Sequence, residues 1–130
     1  MNPTPPPVAK TALWTGRVLS VLPCLMLLFS ATMKFFPSPE AEKGFAHLGI
    51  PMGHAVGLGV LELACTLLYL FPRTRVLGAV LLTGYLGGAI QTHLRVGDPF
   101  IVQALLGVML WGGVWLRDPR LRALLPLVRA

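Results

Sequence analysis

Acidic residues are scarce: five Asp and Glu stand against eleven Lys and Arg, and only 12% of the 130 positions are charged, about half the share of an average soluble domain. Cysteine is rarer still. Cys24 and Cys65 are the only two; they form no CxxC pair and lack metal-ligand spacing, which excludes a disulfide scaffold, a zinc module and a thioredoxin-like motif. No P-loop, GxGxxG or HExxH pattern occurs, so the phosphate-cradling, dinucleotide-binding and zincin chemistries lack their residues. One carboxylate within the apolar runs is too few for a di-iron site, and no pair of haem ligands lies at facing depth, so no metal is expected. A net charge of +6 and a pI near 10.2 would suit nucleic acid only if Lys and Arg clustered on one soluble face, and here they flank apolar runs instead.

What the chain has in abundance is apolar: 55% of its residues are hydrophobic, with a mean hydropathy of +0.71. A bilayer core about 30 Å thick takes about 20 helical residues per crossing, so this length holds four spans with short connections. Residues 1–12 ("MNPTPPPVAKTA") are too proline-rich for a helix and read as a disordered or extended tail. Spans follow at about 13–36, 53–71, 76–94 and 99–116. The first holds sixteen uncharged residues from Val18 to Met33; no small-x-small cleavage site follows it, and it is read as a retained span rather than a signal peptide. Between spans one and two, "EAEKGFAHLG" suits a short helix on the membrane surface. Trp111 and Trp115 suit interfacial anchoring near the end of span four. Residues 117–130 alternate Arg with Leu and read as a short amphipathic tail at the interface.

Eight basic residues (Lys10, Arg17, Arg73, Arg75, Arg117, Arg120, Arg122 and Arg129) fall on the side of both termini, and three (Lys34, Lys43 and Arg95) on the other. The positive-inside rule then makes both termini cytoplasmic. The expected fold is all-α: a membrane-embedded four-helix bundle, multi-pass in the cell (inner, cytoplasmic) membrane, with the lipid bilayer as its first partner.

One residue conflicts with that environment. "GVLELACTLLYLF" (59–71) places Glu62 in the second span, where a carboxylate costs roughly 2.5–3.5 kcal/mol at the bilayer centre on an insertion scale. At 100° per residue, Ala55, Gly59, Glu62, Cys65, Thr66 and Tyr69 form one stripe, so Glu62 faces the interior while Leu and Val face lipid. The corresponding stripes are Gly16, Ser20, Pro23, Leu27, Ser30 and Lys34 on span one; Gly78, Tyr85, Gly88, Ala89 and Thr92 on span three; and Phe100, Gln103, Gly107, Leu110 and Val114 on span four. Glu62 lies about 13 Å from the outer end of its span, at the depth of Tyr85. Lys34, His54, Gln91, His93, Arg95 and Gln103 all lie above it, in the outer third.

This asymmetry predicts a polar cavity opening to the non-cytoplasmic side, with Glu62 at its floor and Lys34, Tyr85, His93 and Gln103 as its walls. Gln91 and His93 are about 160° apart on a helix and cannot both point inward. A buried carboxylate pairs or takes a proton; Lys34 is the candidate counter-ion, with snorkelling to the headgroups as its alternative. Cys24 and Cys65 lie at similar depth, which permits a pair, but thiols in an apolar core are as a rule inert packing residues.

"LFSATMKFF", "GVLELACTLLYLFPRTRVLGAVLLTGYLGGAIQTHLRVGDP" and "WLRDPRLRALLP" together resemble the DoxX-like family over residues 13–126. The resemblance implies a four-helix membrane bundle with both termini on one side. It also implies kinship with subunits resembling the membrane part of thiosulfate:quinone oxidoreductase, with proteins associated with redox partners, and with membrane assembly factors. Lys34, Glu62 and His93 match the family's polar features. The leading expectation is a protein that binds a small lipophilic molecule, such as a quinone cofactor, or serves as a redox-associated membrane subunit. The alternatives are an interaction or assembly protein that docks a partner through glycine-rich helix faces, and a small membrane acid-base enzyme such as an isomerase.

Overall fold

The computed structural model describes residue 4 and residues 6–128. The chain is all-α, about 80% helical, with no strand among the described residues. There are four long helices, α1 (Lys10–Phe35), α3 (Ala55–Leu70), α4 (Arg75–Arg95) and α5 (Ile101–Arg117), and two short ones: α2 (Pro39–Leu48), in the connection from α1 to α3, and α6 (Pro119–Leu124), which follows α5. The first helix begins at Lys10, inside the stretch expected to be a tail, because the last proline is Pro7 and "AKTA" can propagate a helix. Expectations for residues 1–3 and 5, and for Arg129 in the charge count, lie outside the described residues.

Local chemistry sets the ends of the short helices. Ser38 accepts a hydrogen bond from the Ala41 amide at 3.1 Å, Pro39 occupies the first turn with Glu40 and Glu42, and Gly49 closes α2 at φ 70°, a conformation that favours glycine. At the other end of the molecule the Asp118 side chain accepts from the Arg120 amide at 3.0 Å and starts α6 immediately after α5.

Helix α1 packs against α3 and α5, and α4 packs against the same two helices. Two glycine contacts bring these helices close. A Cβ at Gly113 of α5 would stand 2.9 Å from the Gly16 carbonyl oxygen of α1, and a Cβ at Gly78 of α4 would collide with the Tyr69 backbone and stand 2.8 Å from the Leu68 carbonyl carbon. Small residues at such points let backbones approach where side-chain bulk would hold them apart.

The buried face of α3 consists of Ala55, Gly59, Glu62, Cys65, Thr66 and Tyr69, the six residues of the period-3.6 stripe. On α1 the buried residues are Gly16, Ser20, Pro23, Cys24, Leu27 and Ala31, while Ser30 and Lys34 are half-buried. Helix α4 departs from the expected stripe. Its buried residues are Gly78, Ala79, Leu82 and Leu86, whereas Tyr85, Ala89 and Thr92 are half-buried and Gly88 is exposed. The apolar side of α4 packs against its neighbours, and its polar, glycine-containing side borders a cavity. On α5, Leu110 and Val114 are buried, Gln103 and Gly107 half-buried, and Phe100 exposed.

The outer surface is apolar. Phe29, Val56, Val60, Leu77, Val80, Ile101, Leu105 and Val108 all stand exposed on the long helices. A continuous belt of this kind would be an association site in water, and it suits hydrocarbon. The segments Lys10–Phe35 and Met52–Leu70 are long and apolar enough to cross a membrane, and Ile101–Arg117 is a shorter apolar helix.

Candidate functional site

The carboxylate of Glu62 is 3% exposed and forms an ion pair with Lys34, Nζ to Oε2 at 2.7 Å. Ser30, one turn before Lys34 on α1, holds the pair together: its hydroxyl donates to the same Oε2 at 3.3 Å and accepts from Nζ at 2.7 Å, and its backbone carbonyl accepts from Nζ at 3.4 Å. The (i, i+4) spacing of Ser30 and Lys34 puts both on one side of α1. Gly59, one turn before Glu62, lets α3 come close to that side, since a Cβ there would lie 3.1 Å from Lys34 Cβ and 3.3 Å from the Ala31 carbonyl oxygen. Lys34 thus points inward rather than snorkelling outward. A buried pair of this kind is held by its supporting hydrogen bonds as much as by Coulomb attraction.

The pair lies at the edge of a cavity of about 790 Å³ between the helices. Lys34, Glu62, Tyr85, His93 and Gln103, the five residues singled out in the sequence, all line it. The ring of His93 donates from Nδ1 to the Ala89 carbonyl at 2.7 Å, which leaves Nε2 of the neutral ring to accept from the Gln103 amide at 3.4 Å. Gln91 is exposed, on the opposite side of α4 from His93. Most of the remaining lining is apolar, with Met26, Phe29, Met33, Leu58, Leu61 and Leu106 among it.

One part of the wall was not assigned to the site from sequence. Ala41, Gly44, Phe45 and Leu48 of α2 line the same cavity, although no residue of α2 is buried. This helix covers the cavity and is tied to the α4–α5 connection by a 2.7 Å hydrogen bond between His47 Nε2 and Asp98 Oδ2 and by Arg95 donating to the Leu48 carbonyl at 2.5 Å. The alternation of Phe45 and Leu48 with Glu42, Lys43 and His47 is the signal that could have revealed a covering helix.

A second polar group occupies the other half of the molecule. Arg117 Nη2 donates to Ser20 Oγ at 2.5 Å, Ser20 donates to Tyr69 Oη at 2.8 Å, and Tyr69 donates to the Leu110 carbonyl at 2.6 Å. This direction follows because the Leu110 oxygen can only accept, and the guanidinium can only donate. The chain links α5 to α1 to α3 and back to α5. Cys24 and Cys65 are both buried, and neither is in a disulfide. No cluster of three or more His, Cys, Asp and Glu able to hold a metal occurs among the described residues.

The family model described as the DoxX-like family matches residues 18–115, which include all five site residues and α2. No curated protein and no solved structure matches the chain.

Proposed function

Given that the chain belongs to the DoxX-like family, we propose that it is a multi-pass protein of the cell membrane that binds a small lipophilic molecule in the Glu62 cavity. Four helices, α1, α3, α4 and α5, cross the bilayer as a bundle, both termini are cytoplasmic, and the cavity opens towards the non-cytoplasmic side beneath α2. The observation that carries this reading is the convergence of a buried ion pair, a phenol, an imidazole and an amide on one largely apolar cavity of about 790 Å³. That size falls within the range of small-molecule sites, about 300–1,000 Å³. Polar groups that only held helices together would have no need of such a space. A quinone or another membrane-soluble ring compound fits the cavity chemically, and a redox partner protein would be the source or acceptor of such a molecule.

The test is one-sided labelling. In a chain with Cys24 and Cys65 replaced by Ala, a single cysteine at Tyr85 is exposed to a membrane-impermeant maleimide on either face of sealed vesicles. Labelling from the non-cytoplasmic face supports the cavity and its direction. Reaction with lipid-soluble maleimide alone would mean that position 85 faces hydrocarbon and that no open cavity exists.

A second reading is supported by the outer face of α4. A Cβ at Gly87 would meet nothing within 4 Å, and Gly87 is not part of the Glu62 cavity wall, so this small residue serves no contact within the chain and could seat a helix of another membrane protein. Replacing Gly87 with Leu would abolish a crosslink to such a partner and leave ligand binding intact.

A further inference from the structure

A second recess, a groove of about 660 Å³ along α4 and α5, shares only Leu86 and Gln103 with the wall of the Glu62 cavity. Gly87, Ala104, Gly107 and Gly112 hollow it out, because they carry little or no side chain. Its polar side chains are turned to partners within the chain. Trp111 Nε1 donates to Thr83 Oγ1 at 2.7 Å, the Thr83 hydroxyl donates to the Ala79 carbonyl at 2.8 Å, Trp115 Nε1 donates to the Leu125 carbonyl at 3.0 Å, and the Gln103 amide faces His93. The groove therefore presents hydrocarbon to its occupant. From Gln103 to Trp115 it follows twelve residues of α5, about 18 Å. That is near the depth of one leaflet, half of a hydrocarbon core of about 30 Å, and well short of a full crossing. Trp115, Leu125 and Pro126 line its α6 end, and a helix spanning the bilayer would have to pass over them.

The same end of the groove is basic. The Arg122 guanidinium stands over the Trp115 ring, 5.3 Å from its centroid, with Nε donating to the Trp115 carbonyl at 3.1 Å and Nη2 to the Leu116 carbonyl. These bonds fix the cation beside the groove and engage two of its five N–H groups. Arg17, Arg73, Arg75, Arg117, Arg120 and Arg122 share this end of the bundle with one acid, Asp118, which is itself paired with Arg120 at 2.9 Å. We infer that the groove holds an acyl chain of an anionic phospholipid, whose phosphate sits on Arg122. The apolar lining takes the chain, the length matches one leaflet, and a planar guanidinium at the groove's end suits a phosphate. Basic residues at the end of an apolar groove between spanning helices are the arrangement that selects anionic headgroups. A zwitterionic lipid would fill the groove equally well but would leave the excess positive charge unbalanced. The inference is independent of what the Glu62 cavity binds. Because Gly87 lines the groove, a partner helix is the competing occupant.

The experiment is native mass spectrometry of the full chain in mild detergent, delipidated and then given an equimolar mixture of phosphatidylglycerol and phosphatidylcholine with identical acyl chains. One phosphatidylglycerol per chain is expected to be retained, at least about fivefold over phosphatidylcholine, the factor that one basic residue contributes beside an anionic lipid. Gly87→Leu puts a side chain into the groove at a position where a Cβ meets nothing within 4 Å; it is expected to keep the thermal unfolding of the unsubstituted chain and to lose retention of both lipids. In Arg122→Gln a lipid is still retained but the preference for phosphatidylglycerol collapses. The Lys34→Met/Glu62→Leu double variant keeps the preference, which separates this groove from the Glu62 cavity. Equal retention of the two lipids by the unsubstituted chain would overturn the headgroup assignment. A preference that survives both Gly87→Leu and Arg122→Gln would overturn the site. A lipid-free dimer that Gly87→Leu dissociates would give the groove to a helix of a second copy and overturn the proposal.

Discussion

Lys34 and Glu62 lie 28 positions apart in sequence on two helices, and their charged atoms meet at 2.7 Å with Ser30 bonded to both. The pair answers why a carboxylate stands in an apolar helix: its charge is balanced within the protein, at the wall of the cavity.

Removing one partner leaves the other charge buried and alone, so Lys34→Met or Glu62→Leu is expected to destabilise the protein by about 3 kcal/mol. The double variant is expected to recover most of that loss, because a well-packed apolar pair avoids the desolvation cost. Thermal unfolding in mild detergent measures both. Equal stability of the single and double variants would show that the two charges do not interact.

Gly78→Ala is expected to cost more than an ordinary helix substitution, even though alanine is the better helix former. Its Cβ has no room against the Tyr69 and Leu68 backbone, so α3 and α4 must separate at their connection, an overpacking cost of about 1–3 kcal/mol. Gly88→Ala, with nothing within 4 Å, serves as the matched control and is expected to be neutral or stabilising.

Tyr69→Phe removes the link between Ser20 and the Leu110 carbonyl while keeping the ring in place. Tyr69 is 1% exposed, so the buried Ser20 hydroxyl loses its acceptor while the Leu110 carbonyl keeps only its bond within α5, and a loss of about 1–2 kcal/mol is expected. Because this chain of hydrogen bonds is remote from the Glu62 cavity wall, the cavity's ligand preference is expected to be unchanged.

The attachment of α6 depends on pH through Asp118. Its hydrogen bonds from the Arg120 side chain, at 3.1 and 2.9 Å, and then from the Arg120 amide hold its carboxyl below the ordinary carboxylate value. A carboxyl depressed in the folded state stabilises that state above its unfolded pKa and loses the contribution as pH falls through the lower, folded value. The protection factors of α6 amides, rates corrected for the slower intrinsic exchange in acid, are therefore expected to fall on acidification through the acid side of the carboxylate range. Asp118→Asn is expected to flatten that dependence.

Periodicity made α3 legible because one face of that helix is packed along its whole length, and Glu62 shares it with Ala55, Gly59, Cys65, Thr66 and Tyr69. On α4 the inner stripe it drew, Gly78, Tyr85, Gly88, Ala89 and Thr92, is not the packed face, although Tyr85 does line the cavity as expected. There Leu82 and Leu86 supply the packing and the polar face borders open space. A period distinguishes two faces of a helix, but it does not say whether the face opposite lipid meets a neighbour or a cavity. Arg117 was read only as a charge at a span end. Its reach back to Ser20 depends on the close Gly16–Gly113 contact, a property of two helices together that neither sequence segment carries alone. The covering role of α2 was hidden for the same reason, since its contacts with the cavity come from the path of the chain around it.

The most direct test of the central claim is mass spectrometry of organic extracts from protein purified in mild detergent, comparing the unsubstituted chain with the Lys34→Met/Glu62→Leu double variant. A ligand-binding cavity predicts a lipophilic molecule recovered in near-stoichiometric amount from the first and depleted in the second. Recovery of the same lipids in the same amounts from both would contradict it and leave the Lys34–Glu62 pair as a link between helices and nothing more.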